Sequence, residues 1–218
     1  MQLPFTVDEF CEVFRQYNEA LWPAQFLLLV LAFAAMVLVI KQLRWSGVGV
    51  SAILAFLWFW LAGAYHLAFF TQINALAYIF AAVSLAGAVT FLWQGVVRRR
   101  LHFTRVTGGR AFIGIALILF AVLFYPIWSW YAGHNYPQMP TFGLPCPTTI
   151  FTIGLLAFLA PPYPRSPFVV PVLWCFVGAQ AAFLLGVDED MSLVVAGLVG
   201  ASLLMRSKDS SMSAGVVS

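Results

Sequence analysis

Chemistry-capable groups gather most densely between Gly133 and Thr152, GHNYPQMPTFGLPCPTTIFT, which joins two apolar stretches and holds His134, Tyr136 and Cys146. Cys146 stands between Pro145 and Pro147, with Thr148 and Thr149 directly after it. The two prolines remove two N–H donors and fix φ on both sides of the thiol. Unwound backbone of that kind is expected to line a cavity, because bare peptide groups are not tolerated against lipid. A thiol at a helix N-terminus is favoured as thiolate, the form that ligates soft metals and does redox chemistry. The plainer alternative is that Pro147 starts a helix while Thr148 and Thr149 cap or pack it.

His66 is the second candidate, as a metal ligand, proton acceptor or polar gate, since imidazole titrates near neutral pH. Its plainer reading is a neutral histidine bonded to a helix carbonyl or to Gln25, ordinary glue between membrane helices. His66, His134, Cys146 and Glu19 together make a donor set suited to zinc or copper, although nothing in their spacing forces them to converge. The expected ligand-binding set is Gln25, His66, His134, Tyr136, Cys146, Thr149 and Gln180. His102, among arginines, reads as an interface residue, and Cys175 as a small buried apolar one. A disulfide between Cys11 and Cys146 is open on sequence grounds.

These groups need a membrane-embedded frame to position them. Of 218 residues, 62% are hydrophobic and 9% charged, too few charges for the skin of a soluble domain. The expectation is an all-α integral membrane protein with seven spans, at about 22–40, 48–70, 73–97, 111–130, 145–163, 168–186 and 191–205. These form a single transmembrane domain over 1–206, followed by a disordered cytoplasmic tail over 207–218. Thr6-Val7-Asp8-Glu9 has capping-box form, and Phe10, Val13, Phe14 and Tyr17 share one face of the helix it starts. That amphipathic helix is expected to lie in the membrane interface ahead of span one. The opening MQLPFTVDEF, acidic and without a basic run, does not read as a cleavable signal peptide.

The fifth span is short in apolar residues, and charge decides for it. With the N-terminus outside, seven spans put ten of the eleven basic residues in the cytoplasm, all except Arg15, and seven of the eight acidic residues outside. This segregation explains the net charge of +3 by topology, and no nucleic-acid partner is implied. Lipid bilayer is the expected surround, and the localisation a bacterial cytoplasmic membrane. The spans admit a 3+1+3 parallel repeat, in which His66, Phe69 and Asn74 match Gln180, Phe183 and Asp188 at equal spacing.

No Asp, Glu, Lys or Arg falls inside a proposed span, which argues against a pump with a buried ionisable relay. The polar side chains that do enter are Gln25, His66, Thr148, Thr149, Thr152 and Gln180, each within about two turns (~10 Å) of the outer end of its span. They define a polar layer beneath residues 133–147 and suggest a pocket open to the outside.

The stretches PFTVDEF, YNEALWPAQ, YHLAFFTQIN, GHNYPQMPTFGLPCPTTIFTIGLL and FLLGVDED resemble a family of small bacterial membrane proteins known as domain of unknown function 6064. The PCPTT-centred segment is the most specific of them. The resemblance implies a multi-pass bacterial membrane protein and brings no activity and no functional residue with it. Seven-span zinc hydrolases with an H-x-x-x-H pattern in the last helix are excluded, because 191–205 has no histidine. Three function classes remain. The leading one is a protein that binds or transports a small solute or metal ion. A membrane enzyme using Cys146 or a bound metal comes second, and an accessory subunit whose polar residues only hold helices together comes third.

Overall fold

The computed structural model describes residues 4–185 and 187–207. Within them the chain is all helical, without a β-strand. The tail expected over 207–218 lies outside the described residues from 208 onward. So do the side chains of Phe183 and Asp188, two of the repeat positions.

Helix α1, Val7–Ala20, starts at the capping box. Thr6 Oγ1 accepts from Glu9 N at 3.2 Å, and Glu9 Oε2 accepts from Thr6 N at 2.7 Å. Its apolar face is spent on the protein and not on lipid. Val13 and Tyr17 are buried against the end of the bundle, where Tyr17 meets Tyr65 and Phe69 edge-on at 5.7 and 5.8 Å. Aromatic partners waiting there explain why the expected interfacial helix docks inward.

Four helices are long and apolar enough to cross a membrane: α2 (Ala24–Lys41), α3 (Ser46–Gln72), α4 (Ala77–Val97) and α5 (Gly109–Tyr131). Their outward side chains suit hydrocarbon, as with Phe33 (64% exposed) and Phe112 (74%). Three further helices complete the bundle: α6 (Pro145–Leu156), α7 (Ser166–Leu185) and α8 (Ser192–Arg206).

Helix α6 is the centre. It has 12 residues, about 18 Å at 1.5 Å each, against the ~30 Å of a bilayer core. Every one of them but Cys146 is buried, so the helix is surrounded by protein. The span expected over 145–163 is therefore helical only to Leu156. Pro161, Pro162 and Pro164 deny the N–H groups a longer helix needs. The freed backbone pairs with the arginine-rich loop instead: Thr104 N donates to Phe158 O at 2.8 Å, and Ala160 N donates to His102 O at 2.7 Å. Ala157, Phe158 and Leu159 are buried, so this non-helical backbone is enclosed by protein.

Small residues set how closely the central helix is approached. A Cβ at Gly154 would stand 3.0 Å from the Gly114 carbonyl oxygen, so α5 and α6 cross at backbone contact. On another side Trp58 donates to Thr152 Oγ1 at 3.1 Å, and Thr152 passes a bond to Thr148 O at 2.7 Å.

Helices α2 to α8 run alternately between two ends. One end carries Lys41, Arg44, Arg98 to Arg110, Arg165 and Arg206, and is knitted together by Arg105 to Ile40 O (2.8 Å) and Arg110 to Leu159 O (2.5 Å). The other carries α1, residues 132–144 and the α7–α8 joint, and the candidate site lies beneath it.

Candidate functional site

Two departures from regular α-helix bring the site together. Over Leu61–Leu67 the backbone of α3 widens into a π-helical stretch, and over Phe120–Phe124 that of α5 does the same. The second has a visible cause. Pro126 has no N–H to give to residue 122, and the widened turn just before it absorbs the mismatch. Such bulges concentrate at functional sites. Here they aim Tyr65 and His66 from one helix, and Tyr125 from the other, into a common cavity.

His66 is 1% exposed, and neither ring nitrogen has a hydrogen-bond partner among the described residues. The carbonyl or Gln25 partner of the plainer reading is not what surrounds it. The imidazole sits among aromatic rings: Trp174 at 5.0 Å, Tyr65 at 5.2 Å, Phe80 at 5.8 Å and Phe70 at 6.3 Å between centroids. Trp174 Nε1, a donor with no acceptor function, is likewise buried and unpartnered among the described residues.

Cys146 enters from α6. Leu144 is extended and Pro145 is the first helical residue, so both prolines fall in the opening turn, where no N–H partner is due. The expected unwound point is a regular helix start. Thr148 N bonds Leu144 O at 3.2 Å, and the prolines serve to point Cys146 at the cavity. Its neighbour is an acid, Asp190, and not the base that thiolate chemistry requires. Cys11, Cys146 and Cys175 are all free thiols.

Asp190 is the residue sequence reasoning missed. The run Asp188-Glu189-Asp190 reads as a solvated acidic loop, yet Glu189 and Asp190 are 1% and 2% exposed. A short 3₁₀ turn, Asp188–Met191, tucks them under the α7–α8 joint. The Tyr125 hydroxyl donates to Asp190 Oδ1, and the Cys146 thiol lies beside the same carboxyl. Burial, against these two partners, pushes the Asp190 carboxyl up to about 7. Neither oxygen of Glu189 has a hydrogen-bond partner among the described residues, and His134 Nδ1 stands 3.8 Å from Oε1.

The cavity enclosed by these groups measures about 360 Å³. Its floor is His66, Cys146, Trp174, Tyr125 and Asp190; its sides are largely aromatic, and Gln180 lies at its exposed rim. Phe10 and Phe14 of α1 close it from above together with Pro140 and Leu144. Gly178 keeps the floor open, since a Cβ there would stand 3.5 Å from both Cys146 Sγ and Trp174 Nε1.

The roof is fastened by Asn18, which is fully buried. Its Nδ2 donates to Pro137 O (2.7 Å) and Met139 O (2.9 Å), and its Oδ1 accepts from Thr141 Oγ1 (2.7 Å). Tyr17 adds a bond to Gly143 O at 3.3 Å and accepts one from Trp60 Nε1 at 2.8 Å. Gly143 has φ +103°, and a Cβ there would meet Leu28 at 2.2 Å, so the roof turns where glycine alone fits.

Of the expected ligand-binding and metal residues, His66, Cys146 and Gln180 line this cavity and the rest do not. Gln25 donates to Asn18 O at 3.1 Å and secures the α1–α2 joint. Thr149 is fully buried outside the lining, and Tyr136 is 51% exposed on the loop. His134 lies in a separate outer groove with Cys11 and Glu12. Burial first, then Asp8 and Glu189, raise the pKa of the Cys11 thiol above its ordinary value. Glu19 is held on the exposed face of α1 by Arg15 at 2.6 Å. The zinc or copper set His66, His134, Cys146 and Glu19 is thus not gathered in one place. Among the described residues no three His, Cys, Asp or Glu side chains are placed to hold a metal ion.

No curated protein and no solved structure matches the chain. One family model does, over residues 7–214, and the chain belongs to that family, the family of unknown function DUF6064.

Proposed function

We propose that this is a seven-span protein of a bacterial cytoplasmic membrane, N-terminus outside and C-terminus in the cytoplasm, that binds a small organic solute for uptake. The observation that carries the reading is the cavity floor, where His66 and Trp174 bury hydrogen-bonding nitrogens that no described residue satisfies. Leaving such groups unpaired costs about 1–3 kcal/mol each, a cost that a ligand with matching oxygen or nitrogen atoms relieves. A volume of about 360 Å³ lies at the small end of ligand sites. The outward direction is supported by the segregation of basic residues to one end and by the cavity's place beneath the other. The parallel repeat is supported by His66 and Gln180, its matched polar positions, lining the same cavity. Metal transport is the weaker form of this reading, because the proposed donors stand apart.

The test is thermal stabilisation of the purified, detergent-solubilised protein by a size-graded panel of small solutes, repeated with His66→Phe and Trp174→Phe. A ligand at a hundred times its Kd adds about 2.7 kcal/mol, readily seen as a shift in Tm. Stabilisation by at least one solute, lost in both folded variants, is expected. A panel that stabilises nothing, or stabilises wild type and variants alike, overturns the reading.

A further inference from the structure

Resting on the solute-binding reading, the geometry points to a ligand class: we infer that the cavity takes a small organic cation bearing a hydroxyl, carbonyl or ether oxygen. Asp190 is an acid lining a cavity that no described cationic side chain enters. The titratable groups around it are Tyr125 from α5, Cys146 from α6, Tyr65 from α3 and its own neighbour Glu189, none of which brings a positive charge, and the His66 imidazole on the same floor makes no hydrogen bond to a carboxylate among the described residues. The described basic residues stand at the opposite end of the bundle, apart from Arg15, whose guanidinium is held on the outer face of α1 by Glu12 and Glu19. A buried acid with no cation beside it is favoured in its neutral form, and a cationic ligand supplies the charge that stabilises the carboxylate.

The walls suit the same guest. Tyr65, Phe70, Phe80 and Trp174 present ring faces and edges around the space, and an aromatic face attracts a desolvated cation through its quadrupole. A quaternary or tertiary ammonium exploits such walls well, because its methyl groups pack on the rings while its charge remains unsatisfied by water. The oxygen follows from Trp174. Indole N–H donates and cannot accept, and His66 offers one donor and one acceptor when neutral. A ligand of ammonium character alone answers Asp190 and leaves Trp174 Nε1 bare; an oxygen a few bonds away answers both.

The probes are choline and its carbon isostere 3,3-dimethyl-1-butanol, which share shape and hydroxyl and differ in charge. Binding of each to the full-length protein in a neutral detergent is measured by calorimetry, for wild type and for Asp190→Asn. Choline is expected to bind at least tenfold more tightly than the alcohol, and Asp190→Asn is expected to remove that preference. The comparison of the two probes on wild type needs no variant, so it decides even where Asp190→Asn does not fold. Equal binding of the two overturns the cation and leaves the solute reading standing. Binding of neither, with other panel members still stabilising the protein, overturns the cation alone; a silent panel overturns both.

Discussion

Replacing Asn18 with Ala removes the fastening that holds the cavity roof to α1. Three hydrogen bonds go at once, two donated to Pro137 and Met139 and one accepted from Thr141. At a net ~1 kcal/mol each, the loss is about 3 kcal/mol, which for a chain of this size lowers Tm by about 6–12 °C. Asn18→Asp should be worse, because an acceptor then faces the two carbonyls that the amide served. Thr141→Ala should cost only about 1 kcal/mol. Asn18→Ala and Thr141→Ala share one bond, so together they should cost less than the sum of the single effects. The assay is thermal unfolding in detergent, with limited proteolysis of residues 132–144 as the local readout. A fall of less than about 2 °C for Asn18→Ala, with the loop as protected as in wild type, would refute the clasp.

Three further outcomes follow from named contacts. Asp190 is pushed up to about 7 from an ordinary 3.8, so between those pH values the folded protein holds a proton that the unfolded chain lacks. Stability should therefore fall as pH rises from about 5 to 7, by at most ~1.4 kcal/mol per unit, and Asp190→Asn should flatten that slope; a slope unchanged in the variant sinks the assignment. At Gly178 a single Cβ meets Leu193 at 2.6 Å, the end of a flexible side chain, so Gly178→Ala should fold, whereas Gly178→Val should fill the floor and weaken ligand binding tenfold or more; unchanged affinity in Gly178→Val would mean that the ligand sits elsewhere. In a cysteine-free background, an impermeant thiol reagent applied to intact cells should label Gln72→Cys and spare Thr107→Cys; the reverse pattern would invert the proposed topology.

The helical class, the start of α1 and the segregation of charge were legible in the sequence because each rests on local pattern. Thr6 and Glu9 cap each other across three residues, and apolar runs between basic loops need no tertiary knowledge. The extent of α6 was not legible. Its 12 residues end at Leu156, ahead of the prolines at 161, 162 and 164, and the non-helical backbone between is paired by the loop at 102–104, which supplies the hydrogen bonds from far away in the chain. Convergence of donors was equally hidden. Gln25 and Thr149 read as one polar layer with His66, yet neither lines its cavity: a layer is a depth, and a site is a point.

Asp190 marks the physical limit most clearly. Three consecutive acids between two apolar helices resemble a solvated loop, because charge runs usually are one. What reverses the reading is a single turn of 3₁₀ helix, which swings Asp190 toward a tyrosine hydroxyl some 65 positions earlier in the chain. No local signal encodes that meeting. Its trace in the sequence is indirect: Pro126, next to Tyr125, forces the wide turn that lets α5 present its phenol at this depth. The absence of ionisable residues from the expected spans argues against a buried relay but leaves the joints unread, and the buried Asp190 comes from the joint between α7 and α8. An acid placed at a helix joint escapes the cost of crossing hydrocarbon and can still be buried, as Asp190 is. The most informative carboxylate of this protein therefore lies where a span-by-span reading does not look.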